Sequence, residues 1–144
     1  MIESHKHSHQ MIESKFKQAL ETVQSVDDLA MHLELLLNSG CYVWEEPNGE
    51  RTLLSGRALV EKINGLKIHI YAKEHAPPHF HVRSAEIDAA FTIEDCRLLQ
   101  GSVNRKTQDL IVYWHGSARQ KLIHFWNRTR PTDCPVGPIH EDEL

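Results

Sequence analysis

The chain is poor in the features that mark most enzyme classes. It has three cysteines, Cys41, Cys96 and Cys134, with no C-x-x-C pair and no recurring spacing. That excludes a structural zinc ribbon and argues against a disulfide framework; reduced thiols in a cytoplasm fit this usage. Cys96 follows Asp95 and Cys134 follows Asp133. A neighbouring carboxylate disfavours a thiolate, so neither reads as an activated nucleophile. No stretch reaches the roughly 18 apolar residues of a membrane span. No apolar run follows Met1, so no signal peptide is expected. The closing Glu141-Asp142-Glu143-Leu144 echoes a retention tail, which has nothing to act on without such a peptide. The patterns G-x-x-x-x-G-K-[ST], G-x-G-x-x-G, H-E-x-x-H and G-x-S-x-G are all missing.

Positive charge is also in short supply. The formal net charge is −4 with histidines neutral, so no chain-wide attraction to a phosphate backbone is expected. Arg119, Lys121, Arg128 and Arg130 gather in the last third. A solvated helix face is the plainer reading of that cluster, and a basic patch the sharper one. The three tryptophans, Trp44, Trp114 and Trp126, read as core or half-buried packing before they read as base-stacking platforms.

What is present suits one globular domain: 144 residues, 40% of them hydrophobic and 25% charged. Eleven histidines is a high count, and His5, His7 and His9 alternate within a polar stretch. Residues 1–10 therefore read as a disordered leader. Met11, Ile12, Phe16, Ala19, Leu20 and Val23 lie near a helical period. Ser25, with Asp28 three residues on, reads as the cap of a second helix carrying Leu29, Leu33, Leu36 and Leu37, which ends at Asn38-Ser39-Gly40.

From Cys41 the pattern turns to strands. Residues 41–45 and 51–54 flank a Pro47-Asn48-Gly49 turn. Asn64-Gly65 is a strong hairpin signal, which favours a strand over 58–63 as well. Leu66, Ile68 and Ile70 alternate with Lys67, His69 and Tyr71. Ile87, Ala89, Phe91 and Ile93 alternate again, and a short strand follows near 98–100. A long helix is expected over 104–128, capped by Ser102 or Asn104, with Ile111, Trp114, Ala118, Leu122 and Phe125 as its stripe. Gly116 inside it costs about 1 kcal/mol relative to alanine, which a close helix–sheet contact would explain. Pro131, Pro135 and Pro138 make the tail irregular.

The order predicts an α+β fold: N-terminal helices, a mostly antiparallel sheet of hairpins, and a long C-terminal helix packed on the sheet. The segments divide as a leader over 1–10, a helical and hairpin extension over 11–62, an α+β core over 63–130 and a tail over 131–144, within one compact domain.

One segment could carry chemistry, His75-Ala76-Pro77-Pro78-His79-Phe80-His81-Val82. The two prolines hold the chain extended. His79 and His81 then leave one face of a strand, with Phe80 and Val82 directed to the core. His75 can fold back from beyond the prolines, and His69 can lie across from the pair. This set is a plausible first shell for a divalent transition metal such as zinc, with Glu74 or Asp88 as the carboxylate. The same imidazoles could serve as general acid and base, or bind a phosphate beside Arg83. The plainer alternative is that His75 and His79 hydrogen-bond the loop backbone and lock the turn.

Residues of about 63–130 resemble the bacterial domain-of-unknown-function family 4160. The resemblance rests on Gly65–Tyr71, the H-x-P-P-H-F-H-V string, the alternating strand from Ile87 to Ile93, Leu99-Gln100-Gly101, and the long helix with Trp114 and Trp126. Glu74 fills a place where the family more often has aspartate. The resemblance implies a small bacterial protein without a settled activity, working beside another small protein from the same operon in the manner of a toxin–antitoxin pair. It also implies RNA or translation as a target; the lack of a long apolar run, for its part, leaves no membrane partner expected. Two functions follow as expectations: an operon-partner binding module, or a small metal- or histidine-dependent hydrolase or ribonuclease using His75, His79 and His81.

Overall fold

A computed structural model describes residues 2–56, 62–71, 77–130 and 138–139, with side chains from residue 12 onward. Helix α1 (Ile2–Glu21) begins upstream of Met11, where the apolar period starts. Helix α2 (Val26–Leu37) starts where the capping chemistry places it. Asp28 N donates to Ser25 Oγ at 3.0 Å, and the Asp28 carboxylate accepts from Gln24 N at 3.1 Å. Gly40, at φ 80, ends the exit from α2 in a conformation few side chains tolerate.

Strands β1 (Cys41–Glu45) and β2 (Arg51–Ser55) form a separate two-stranded antiparallel hairpin. Strands β3 (Lys67–His69), β4 (His79–Arg83), β5 (Asp88–Thr92) and β6 (Leu98–Ser102) form a four-stranded antiparallel meander. Helix α3 (Arg105–Arg128) follows, capped by Asn104, whose side chain accepts from Thr107 N at 2.8 Å. The α+β architecture is as the sequence predicts, and the core is one cluster. Leu29 and Leu33 of α2, Phe80 and Phe91 of the sheet, and Ile111, Trp114, Leu122 and Trp126 of α3 are each at most 1% exposed. The N-terminal helices thus complete the core of the sheet and α3.

Two local expectations are corrected. Among the described residues the Asn64-Gly65 hairpin is not seen: residues 62–66 carry no strand and β3 pairs with β4, while residues 57–61, most of the expected 58–63 strand, lie outside the described residues. The Asn38 amide takes the place of a partner strand: it donates to Ile63 O at 2.7 Å and accepts from Ile63 N at 2.8 Å. Leu66 N donates to the Glu34 carboxylate at 2.9 Å, so α2 holds the entry to β3 through side chains. Gly116 is exposed, and a Cβ there would meet nothing within 4 Å, so no close contact explains it. Gly101 is the position where glycine is required. It lies at φ 77, and a Cβ would fall 2.0 Å from Asp88 O. β5 and β6 therefore approach more closely there than any side chain permits, beside a register shift at Ala90/Phe91.

Candidate functional site

β4 lies inside the meander, between β3 and β5. His81 faces His69 on one side and Ala90 on the other, and His79 faces Thr92. Direct cross-strand partners share a face, so His69, His79 and His81 project to the side away from Phe80 and Val82. The His79 and His81 ring centroids are 5.0 Å apart, edge to face. Their shared face is therefore as the alternation predicts, but its environment is not the usual polar one. His79 is 7% exposed, His81 8%, Ala90 1% and Thr92 3%, so β4 is buried on both faces.

The His79 ring has a defined donor. Its Nδ1 lies 2.8 Å from Pro77 O. A carbonyl only accepts, so Nδ1 carries a proton and donates it to this bond. This is the backbone bond that the plainer reading of the Pro-Pro turn requires of His79. Tyr71 lies across the neighbouring row. Its ring is stacked on His69 (centroids 5.6 Å, planes 3° apart) and meets His81 edge-on at 5.2 Å. Its hydroxyl accepts from Arg83 Nη1 at 2.5 Å.

Of the other metal-ligand candidates, Asp88 does not converge with these. Asp88 faces Arg83 at the opposite end of β5 from Thr92, and its carboxylate accepts from Arg83 Nε at 3.3 Å. His75 and Glu74 lie outside the described residues. Among the described residues no three His, Cys, Asp or Glu side chains come together as a metal-binding group. At the end of β5, Thr92 Oγ1 donates to the Asp95 carboxylate, and this bond holds Asp95 below its usual range. Cys96, at φ 56 in the same turn, is buried, and desolvation pushes its thiol up to about 12. It is not a nucleophile near neutral pH.

Two buried histidines escaped the sequence reading. His32 Nδ1 accepts from the Trp114 indole N–H at 3.1 Å, which leaves Nε2 to donate to Phe16 O at 3.0 Å. One neutral imidazole thus joins α1, α2 and α3. His115 Nε2 lies 2.5 Å from Ile93 O and ties α3 to the end of β5. Burial holds both below the ordinary histidine value, against an opposing pull from their carbonyl partners. The helical period could have found them. His32 lies three residues after Leu29 and four before Leu36, and His115 lies four after Ile111 and three before Ala118.

The basic cluster is largely employed within the fold. Arg119 Nε donates to Glu94 O at 3.0 Å and Lys121 Nζ to Val23 O at 2.8 Å. Arg130 reaches Tyr71 O and lies over the Trp126 ring, 3.4 Å from its centroid. Arg128 is exposed. Trp114 and Trp126 are buried as expected, whereas Trp44 is 52% exposed. Trp44 shares the outer face of the β1–β2 hairpin with Tyr42, 39% exposed. No helix among the described residues is long and apolar enough to cross a membrane.

Residues 65–127, which span β3 to β6 and nearly all of α3, match the family model described as domain of unknown function DUF4160. No curated protein and no solved structure matches the chain.

Proposed function

We infer that this chain, which carries a DUF4160 domain over residues 65–127, is the binding module of a two-gene, toxin–antitoxin-like pair that docks a small protein partner. The observation that carries the reading is the outer face of the β1–β2 hairpin. Tyr42 and Trp44 stand on it at 39% and 52% exposure, flanked across the hairpin by half-buried Leu54 and Thr52. A two-stranded hairpin has little reason to hold two large aromatics in water, and such patches mark interaction sites. Exposed Glu45, Glu46 and Glu50 surround the turn, opposed by Arg51 alone within the hairpin. The partner that fits is therefore a small protein with a basic, apolar-centred face.

The test is co-expression with the product of the adjoining reading frame and analysis of the untagged complex. A stable complex is expected, and the Tyr42→Ala/Trp44→Ala double variant is expected to weaken it by about 2 kcal/mol or more, roughly 30-fold. A complex that forms equally well with the double variant, or no complex with wild type, would overturn the reading.

The His79 Nδ1 bond favours a second reading, a small metal- or histidine-dependent hydrolase or ribonuclease. A backbone acceptor on Nδ1 is how proteins orient a ligating or catalytic imidazole. Elemental analysis of protein lacking His5, His7 and His9 tests the metal form of this reading. Near-stoichiometric metal that is lost in the His75/His79/His81 triple alanine variant supports it, and equal metal in both proteins refutes it.

A further inference from the structure

We propose that the β3 side of the four-stranded sheet binds single-stranded nucleic acid, with Tyr71 as the base-stacking ring and Lys67 and Arg83 as phosphate contacts. This surface belongs to a different sheet from the hairpin, so the proposal stands apart from the protein-docking reading.

The register assembles the site. Lys67 and Arg83 are direct cross-strand partners, and His69 and His81 form the next row on the same face. Lys67 is exposed, and the Arg83 side chain is 42% exposed. Asp88 is the carboxylate that shares their row, and Arg83 already neutralises it at 3.3 Å. The row therefore keeps a cationic excess on a chain whose net charge is −4.

Tyr71 is the unusual member. The residue is 41% exposed although its hydroxyl already has a protein partner in Arg83, 2.5 Å away. Reaching water with the hydroxyl does not explain that exposure. Its orientation is set from three sides: His69 stacked against it, the His81 edge at 5.2 Å, and the Arg83 guanidinium carbon 5.8 Å from the centroid. An aromatic ring held in place before a ligand arrives loses little entropy on binding. A guanidinium has donors beyond the two that Arg83 uses on Asp88 and Tyr71, and Lys67 supplies a mobile point charge beside it. An exposed, positioned ring beside the Arg83 guanidinium, with Lys67 directly across from Arg83, is the chemistry that takes an unpaired base and its phosphates. A base inside a duplex offers no open face to such a ring, so the ligand is single-stranded.

Fluorescence anisotropy with labelled twelve-nucleotide oligo(U), oligo(dT) and a duplex of equal length tests the proposal. Both single strands are expected to bind near the micromolar range at about 50 mM salt and to weaken as salt rises. The two single strands distinguish RNA from DNA, and the duplex is expected to bind at least tenfold more weakly. Tyr71→Ala should lose about tenfold, the size of one stacked base, whereas Tyr71→Phe, which keeps the ring, should stay within about twofold. Lys67→Ala should lower the logarithmic salt slope by about 0.7. Should Tyr71→Ala fail to fold, Tyr71→Phe and Lys67→Ala still decide the matter. No binding of either single strand at about 100 μM, equal binding of the duplex, or an unchanged salt slope in Lys67→Ala would each overturn it. So would protection of this face by a protein partner with no oligonucleotide bound.

Discussion

Replacing Trp114 by phenylalanine tests the single imidazole that joins the three helices. In the folded protein the Trp114 indole N–H donates to His32 Nδ1 at 3.1 Å, and both residues are buried. Phenylalanine keeps much of the packing against Phe80, whose ring centroid is 5.9 Å from that of Trp114. It leaves the His32 nitrogen buried without a donor, at a cost of about 1–3 kcal/mol. The smaller ring adds about 1 kcal/mol for lost contacts. The expected loss near neutral pH is thus about 2–4 kcal/mol, or roughly 6–12 °C in melting temperature for a domain of this size.

The pH dependence separates this account from simple loss of packing. Burial depresses the His32 value. A histidine depressed in the folded state contributes stability that is fully present above its unfolded value of about 6.5 and is lost as pH falls. In wild type, protonating Nδ1 sets a second N–H against the indole N–H. In the variant, phenylalanine presents no opposing donor. The stability gap between the two proteins should therefore narrow between about pH 7.5 and pH 5. Urea denaturation followed by far-ultraviolet circular dichroism at both pH values measures it. An equal or wider gap at pH 5 would refute the reasoning.

Two glycines should respond in opposite directions. Gly101→Ala forces a Cβ toward Asp88 O at positive φ and should cost about 2–4 kcal/mol, whereas exposed Gly116→Ala should stabilise α3 by about 0.5–1 kcal/mol. Thermal unfolding of the two variants checks both signs, and a Gly101 variant as stable as wild type would contradict the close strand approach. His79→Ala removes the donor to Pro77 O from a residue only 7% exposed, so a melting temperature lower by several degrees is expected. An unchanged melting temperature would mean that the imidazole does not hold the turn.

Much of the fold was legible because its signals are local. The Ser25 and Asn104 caps, the Pro47-Asn48-Gly49 turn and the alternation through β4 and β5 each depend on residues a few positions apart. A backbone N–H at a helix start needs an acceptor close by, and sequence spacing shows whether one is there. The projection of His79 and His81 from one strand face follows from the same short-range rule.

What only the tertiary structure decided is what lies opposite each group. Alternation separates the histidine side of β4 from the Phe80 and Val82 side, yet it says nothing about whether that side meets water, and both sides are buried. Asn38 replaces a partner strand at Ile63, twenty-five positions away in sequence. The Trp114–His32 bond spans eighty-two. Gly101 and Gly116 look alike in sequence, but one abuts a carbonyl from a neighbouring strand and the other faces solvent. Burial, pairing and close approach depend on contacts between segments far apart along the chain. Residue type and local period carry no record of those contacts until the core has formed.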